Sequence, residues 1–415
     1  MGILRQSLLV LLGAVAVSSA ACTNSTAPKD GPIDALPRPL SGAETKLVAA
    51  GNTFSFALFK RISAATPDSN LFVSPLSASM ALGMTLNGAA GSTYDSMRVA
   101  LQVEGVSQDE INAGYKELLS LLRGLDPATT LEVANSIWYR QEFPFEQSFF
   151  TAAKSWFDAE VRGLDFDDVP SSLAAINGWV DQRTNGKIPR IVEDITRDDV
   201  MFLINAIYFN GNWERKFDRA DTRAAPFHAL DGTSAQVPLM YQKSKIRYAW
   251  TPQYQAVDLA YGNSAFTMTV LLPHAGSSVN ELAASLTPAA WTELVGRLAS
   301  QEVELYLPKF KLSWERLLND DLTAMGMGIA FREREADFTR MSSLGRALFI
   351  TYVKQKAYVD VHEEGTEAAA VTVVAIGITS GPPTVRVDRP FIFAIRERFS
   401  GTILFMGKVV KLPAA

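Results

Sequence analysis

The sequence predicts an α+β protein. Helical spacing dominates the first third of the 415 residues and strand patterns the last third. With 47% hydrophobic and 20% charged residues, the chain is able to bury a large core, as one big domain or two. Interior apolar runs are short: Phe266-Thr267-Met268-Thr269-Val270-Leu271-Leu272 stops at Pro273, well below the length that crosses a bilayer.

In chain order, Glu44 to Ser63 has helical spacing, with Leu47, Phe54, Leu58 and Ile62 near one face. Ser77 to Leu86 reads as a more buried helix, entered after Ser74-Pro75, a capped start. Leu131 to Tyr139, Met201 to Phe209 and Val303 to Leu312 read as strands. Ser172 to Thr184 reads as a helix ending in Asn185-Gly186. No internal repeat is found.

The net charge of −5 leaves no nucleic-acid footprint. Enzyme readings fare poorly. His228, His274 and His362 are the only histidines, none lies in an HExxH pattern, and a single cysteine builds no thiolate metal site. No G-x-S-x-G elbow occurs, and Gly401 to Lys408 has one residue too many between its glycines for a P-loop. His362 beside Glu363 and Glu364 reads as a solvated charge cluster at a strand end in preference to a metal or acid–base site. No cofactor or metal is expected.

The N-terminus predicts export. Arg5 precedes an apolar stretch, Leu8 to Val17, followed by Ser18-Ser19-Ala20-Ala21-Cys22, so residues 1–21 read as a signal peptide. Cys22 is the only cysteine, which excludes an internal disulfide. Its place after small residues resembles the bacterial lipobox, although Ser19 stands where a leucine is usual. Lipidation of Cys22 is favoured over ordinary cleavage after Ala21. Residues 22–43, rich in Pro, Thr, Ser and Gly, read as a flexible tether, with the folded domain at 44–415. The expected location is outside the cell, lipid-anchored at a bacterial envelope or surface.

The most informative stretch is Glu363-Glu364-Gly365-Thr366-Glu367-Ala368-Ala369-Ala370, followed by an uncharged run to Val385. A glycine beside charged residues reads as a bend at a strand end, and the small and β-branched residues beyond it are strand formers awaiting a partner. Left on a sheet edge, such a run is an aggregation hazard.

This stretch resembles the hinge of the serpins, protease inhibitors that work by loop insertion, a mechanism long established for that family. The resemblance covers nearly the whole chain from about Glu44. Asn70-Leu71-Phe72-Val73-Ser74-Pro75-Leu76-Ser77, Asn205-Ala206-Ile207-Tyr208-Phe209-Asn210-Gly211-Asn212-Trp213, Leu307-Pro308-Lys309-Phe310, Asp388-Arg389-Pro390-Phe391-Ile392-Phe393 and Phe405-Met406-Gly407-Lys408-Val409 resemble family boxes, in the family's order. The resemblance implies three β-sheets, the largest central, about eight or nine helices and an exposed reactive-centre loop.

It also implies a mechanism. A serine protease, or a cysteine protease, attacks the loop and forms an acyl-enzyme. The cut loop then enters the central sheet as a new strand, and the protease is distorted before hydrolysis finishes. Insertion needs alternate side chains without charge or ring. The set here is Thr366, Ala368, Ala370, Thr372, Val374 and Ile376, every one small or aliphatic. By the family's spacing, about fourteen residues past the hinge glycine and eleven before the box proline, Gly365 and Pro390 both point to Thr379. The expected bond is Thr379–Ser380, suited to elastase-like or subtilisin-like proteases, while Ile378 suits a chymotrypsin-like enzyme.

Ser74, Ser77 and Asn205 match the family's polar cluster beneath the central sheet, with Gln355 where a histidine is usual. Glu363 and Lys309 match a salt bridge at the point where the loop enters, and Trp213 matches a tryptophan packed nearby. If exposed, that bridge is worth only about 0–1 kcal/mol and acts as a gate. The expected partners are a target protease and, through the lipid, a membrane; the protein itself is expected to be a monomer. A non-inhibitory carrier or chaperone, or a surface scaffold, remains the alternative.

Overall fold

The computed structural model describes residues 31–365 and 381–414. In chain order its elements begin with α1 (Gly42–Ala65), β1 (Leu71–Val73), α2 (Pro75–Leu86), α3 (Gly91–Leu101), α4 (Gln108–Arg123), β2 (Thr129–Arg140), α5 (Gln147–Phe157), β3 (Glu160–Leu164), α6 (Val169–Arg183) and β4 (Met201–Gly211). Strands then take over, with β5 (Arg223–His228), β6 (Ser234–Trp250), β7 (Tyr254–Tyr261) and β8 (Phe266–Pro273). After α7 (Val279–Ser285) and α8 (Pro288–Arg297) come β9 (Ala299–Pro308), β10 (Phe310–Leu317), the short α9 (Asn319–Leu322), β11 (Lys354–Val361), β12 (Thr384–Arg386), β13 (Phe391–Glu397) and β14 (Ile403–Val409).

Local chemistry fixes the helix starts. Ser41 and Glu44 form a reciprocal capping box on α1, and Ser107 and Glu110 form another on α4. Ser74 caps α2, with Pro75 in its first turn. The α6 helix begins ahead of the Ser172 expected from periodicity. Its cap is Asp168, which accepts from Ser171 N, and Pro170 sits in the first turn where its missing N–H costs nothing. Ahead of α1, Ile33, Leu36 and Leu40 pack against the core, and Ile33 N donates to Asn263 O at 2.8 Å.

The described residues form three sheets, as expected of the fold class. The largest runs β1-β14-β13-β8-β7-β6-β9-β12, with β5 added on β6. In a second sheet β2 lies between β3 and β4, and β10 pairs with β11 in a third. β4 and β11 are brought together but share no ladder, so the layer they form is divided between the two smaller sheets. One correction concerns Val303–Leu312, which is two strands. The chain leaves β9 at Pro308, Lys309 N turns to Pro238 O, and β10 starts in a different sheet. Apolar periodicity does not register a change of partner.

Aromatic rings seal the interior of the large sheet. Phe72 stacks on Phe405 at 5.1 Å and on Phe393 at 5.7 Å between ring centres. Gly407 is required there, because a Cβ would come within 2.2 Å of the Phe393 ring. A second apolar cluster, with Trp138, Phe166, Ile176, Trp179, Val180 and Phe202, packs α6 over the three-stranded sheet.

Candidate functional site: a slot and its hinge

The strands β4 and β11 run in the same direction. Just beyond β4, Trp213 donates Nε1–H to the carbonyl of His362, just beyond β11, at 2.9 Å. At the opposite end of the two strands lies a cavity of about 170 Å3. It is lined by residues 201–205 of β4, residues 352–356 at the start of β11, and Ser77, Ala78, Ala81 and Leu82 of α2. The divided layer is therefore a slot, floored by α2 and closed at the Trp213 end. A chain turning back after β11 would run down it antiparallel to both walls, the direction in which a new strand pairs with each.

The hinge closes the slot. Glu363, expected in a solvated cluster and in a salt bridge with Lys309, makes that bridge but is buried. Its side chain is 5% exposed, with Lys309 Nζ 2.9 Å from Oε2 and Thr222 Oγ1 donating to Oε1 at 2.9 Å. Burial works to raise its pKa, but the hydrogen bond from Lys309, with backbone and Thr222 donors, prevails and holds it below the ordinary carboxylate value. The Glu363 carbonyl accepts from Phe217 N at 3.0 Å, and Glu364 pairs with Arg219. Gly365 has φ +57°, and a Cβ there would lie 2.1 Å from Trp213 N. Only glycine fits this bend. Trp213 itself is stacked on Tyr261 at 4.4 Å.

The polar cluster at the base of the slot divides between its walls. Gln355 accepts from Ser74 N at 3.0 Å through Oε1 and donates to Ser74 O at 2.8 Å through Nε2, tying β11 to the start of α2. Ser74 Oγ donates to Leu404 O at 2.8 Å and accepts from Ser77 N. Asn205, on the β4 wall, donates instead to Asn135 Oδ1 at 2.7 Å, and its own Oδ1 is buried with no hydrogen-bond partner. Gln355 thus spans helix to strand, not strand to strand as a residue bridging the slot would.

The sequence expectations for Cys22, the signal peptide, Thr366, Glu367, Ala368, Ala369, Ala370, Ile378, Thr379 and Ser380 lie outside the described residues. Among the described residues no group of three His, Cys, Asp or Glu side chains is placed to hold a metal ion. His228 is exposed on β5, and His274 Nε2 is paired with Thr251 O at 2.7 Å. Sequence reasoning missed Arg219, Thr222, Asn135 and Tyr261. The dense run of charges after Trp213, from Glu214 to Asp221, is the one signal that could have drawn attention to the segment carrying the first two.

A family model described as Serpin (serine protease inhibitor) matches residues 49–412. Human Serpin B11 is 31% identical over 388 residues, covering 88% of this chain and 98% of its own. Chicken neuroserpin is 32% identical, covering 86% and 89%. Among solved structures, the thermophilic serpin tengpin in its native state gives a TM-score of 0.81 at 31% identity, over 92% of this chain and 97% of that one. Human thyroxine-binding globulin, solved with its ligand bound, gives 0.81 at 28% identity, over 90% and 100%. A match spanning nearly the whole folded part, with the expected boxes in place around a slot and its hinge, shows that this chain belongs to the serpin family.

Proposed function

We propose that this protein is an inhibitory serpin, a suicide substrate that traps a serine protease, or a cysteine protease, as its acyl-enzyme. The observation that carries the reading is the slot: two parallel strands without a ladder between them, with the hinge glycine poised over one end. The family consists mostly of protease inhibitors, not enzymes, and also includes non-inhibitory members such as thyroxine-binding globulin. What favours inhibition in this chain is the inserting face, from Thr366 to Ile376, which carries no charge, ring or proline.

In the proposed reaction the protease nucleophile adds to the carbonyl carbon of Thr379. The bond to Ser380 breaks, the amine of Ser380 leaves with a proton, and an ester or thioester remains on Thr379. The segment from Thr366 then enters the slot between β4 and β11, carrying the protease with it. Success depends on insertion outrunning hydrolysis, so relative rates matter more than total stability. Cys22 is proposed as a lipidated anchor, supported by the signal-like residues before it; the mass of the mature N-terminal peptide tests it.

The test is to mix the protein with an elastase-type protease and with a subtilisin, then run denaturing gels and intact mass spectrometry. A covalent complex and a released peptide beginning at Ser380 are expected. Cleavage without a complex would leave a carrier or scaffold. Thr379→Arg should shift preference toward trypsin-like enzymes; no shift would place the scissile bond elsewhere.

A further inference from the structure

The segment 213–222, between β4 and β5, grips the hinge at three successive residues. Trp213 holds His362 O, Phe217 N and Thr222 Oγ1 hold the two ends of Glu363, and Arg219 holds Glu364. The first contacts are half-buried or buried, and Lys309 supports them from the start of β10. Arg219 differs: its side chain is 71% exposed, against 27% for Glu364. It sits in a single 3-10 turn, Arg219–Asp221, fixed by Asp218, whose Oδ1 accepts from Ala220 N at 2.8 Å. Arg219 O in turn accepts from Thr222 N at 3.3 Å. One short turn therefore places Arg219 over Glu364 and Thr222 over Glu363.

For β11 to continue past Val361, Gly365 must leave its positive φ and the hinge carboxylates must leave these partners. Any contact broken before the insertion barrier slows insertion by its own strength. We propose that Arg219 is a positioning residue for the trapping reaction: it latches Glu364, restrains the hinge before cleavage, and sets the rate at which the cut loop enters the slot. The inference rests on the inhibitory reading for its purpose, while the Arg219–Glu364 contact itself does not depend on that reading. Being exposed, the pair is salt-sensitive and modest, worth about a two- to five-fold change in rate. Its loss would speed trapping while letting the uncut loop insert sooner, so the latch trades speed against shelf life.

The test uses the full chain, cut once in its loop by a protease that forms no complex with it. Insertion is followed by the change in tryptophan emission, since Trp213 is stacked on Tyr261 and bonded to the hinge. Arg219→Glu and Glu364→Arg should each speed insertion at least about two- to five-fold, and the double charge swap should restore the wild-type rate. Added salt should speed the wild type more than Arg219→Ala. Thermal unfolding of the uncut variants confirms that they fold; Arg219 is exposed, so Arg219→Glu keeps the test valid even if Glu364→Arg does not. Unchanged rates, or single effects without rescue, would overturn the latch, as would a cut wild type that never inserts. If no protease forms a covalent complex, the inhibitory reading falls, yet the insertion rates still decide whether Arg219 is a latch.

Discussion

The large sheet and the slot are built from similar strand formers and come to opposite ends. In β13 and β14 every residue is buried, each strand has a neighbour on both sides, and aromatic rings fill the space between. In β4 and β11 one edge of each strand faces a gap, and half-buried and buried positions alternate over much of their length. The first region has reached its final pairing. The second keeps strand edges open at a known cost, because unpaired edges invite other chains. The chain has a strand of its own to offer such a gap, since an uncharged β-forming run from Ala368 to Val385 begins just past the hinge.

The sharpest way to break this comparison is to make the missing strand unfit. Thr366→Arg puts a charge on the first side chain due to enter the slot. An unpaired buried charge costs several kcal/mol, enough to slow insertion by about 100-fold or more. Protease should then cut the loop without being trapped; an unchanged stoichiometry of inhibition would show that the insertion register is wrong. The complementary change belongs to the finished sheet. Phe393→Ala empties space against Phe72, Phe310 and Phe391 and should cost about 3–5 kcal/mol in chemical denaturation, while cut molecules still insert.

A smaller effect separates the walls of the slot. Gln355→Ala leaves the buried N–H of Ser74 without its partner and strips one of two bonds from Ser74 O, which keeps Ala78 N, a loss of about 1–3 kcal/mol. Amide exchange should quicken at β11 and at the start of α2 well before β13 and β14 respond. The smallest effect is acid release of the hinge. Glu363 has a lower pKa folded than unfolded, so its contribution is complete above the ordinary value of 4.5 and is lost as pH falls through the folded value. Insertion of a cut loop should therefore speed up only below that range, and Glu363→Gln should abolish the acid dependence.

Much of this was legible in the residues. Caps such as Ser74-Pro75 and spacing such as Leu47, Phe54, Leu58 and Ile62 placed the helices, because these signals act within one or two turns. The hinge glycine was legible too, since its charged neighbours and the uncharged run mark a bend before a strand. The slot was not: whether β4 pairs with β11 depends on residues about 150 positions apart, and no local pattern reports an absent ladder. The burial of Glu363 was missed for the same reason, because Lys309 and Thr222 reach it from distant parts of the chain. Arg219 escaped because a single 3-10 turn has no periodicity to read.

The most direct measurement of the central claim is thermal unfolding before and after one cut in the loop. If the slot accepts the loop as a strand, the cut chain unfolds at a clearly higher temperature than the intact one, despite its broken backbone. An equal or lower unfolding temperature would contradict the account, for the slot would then be a gap that nothing in this chain fills.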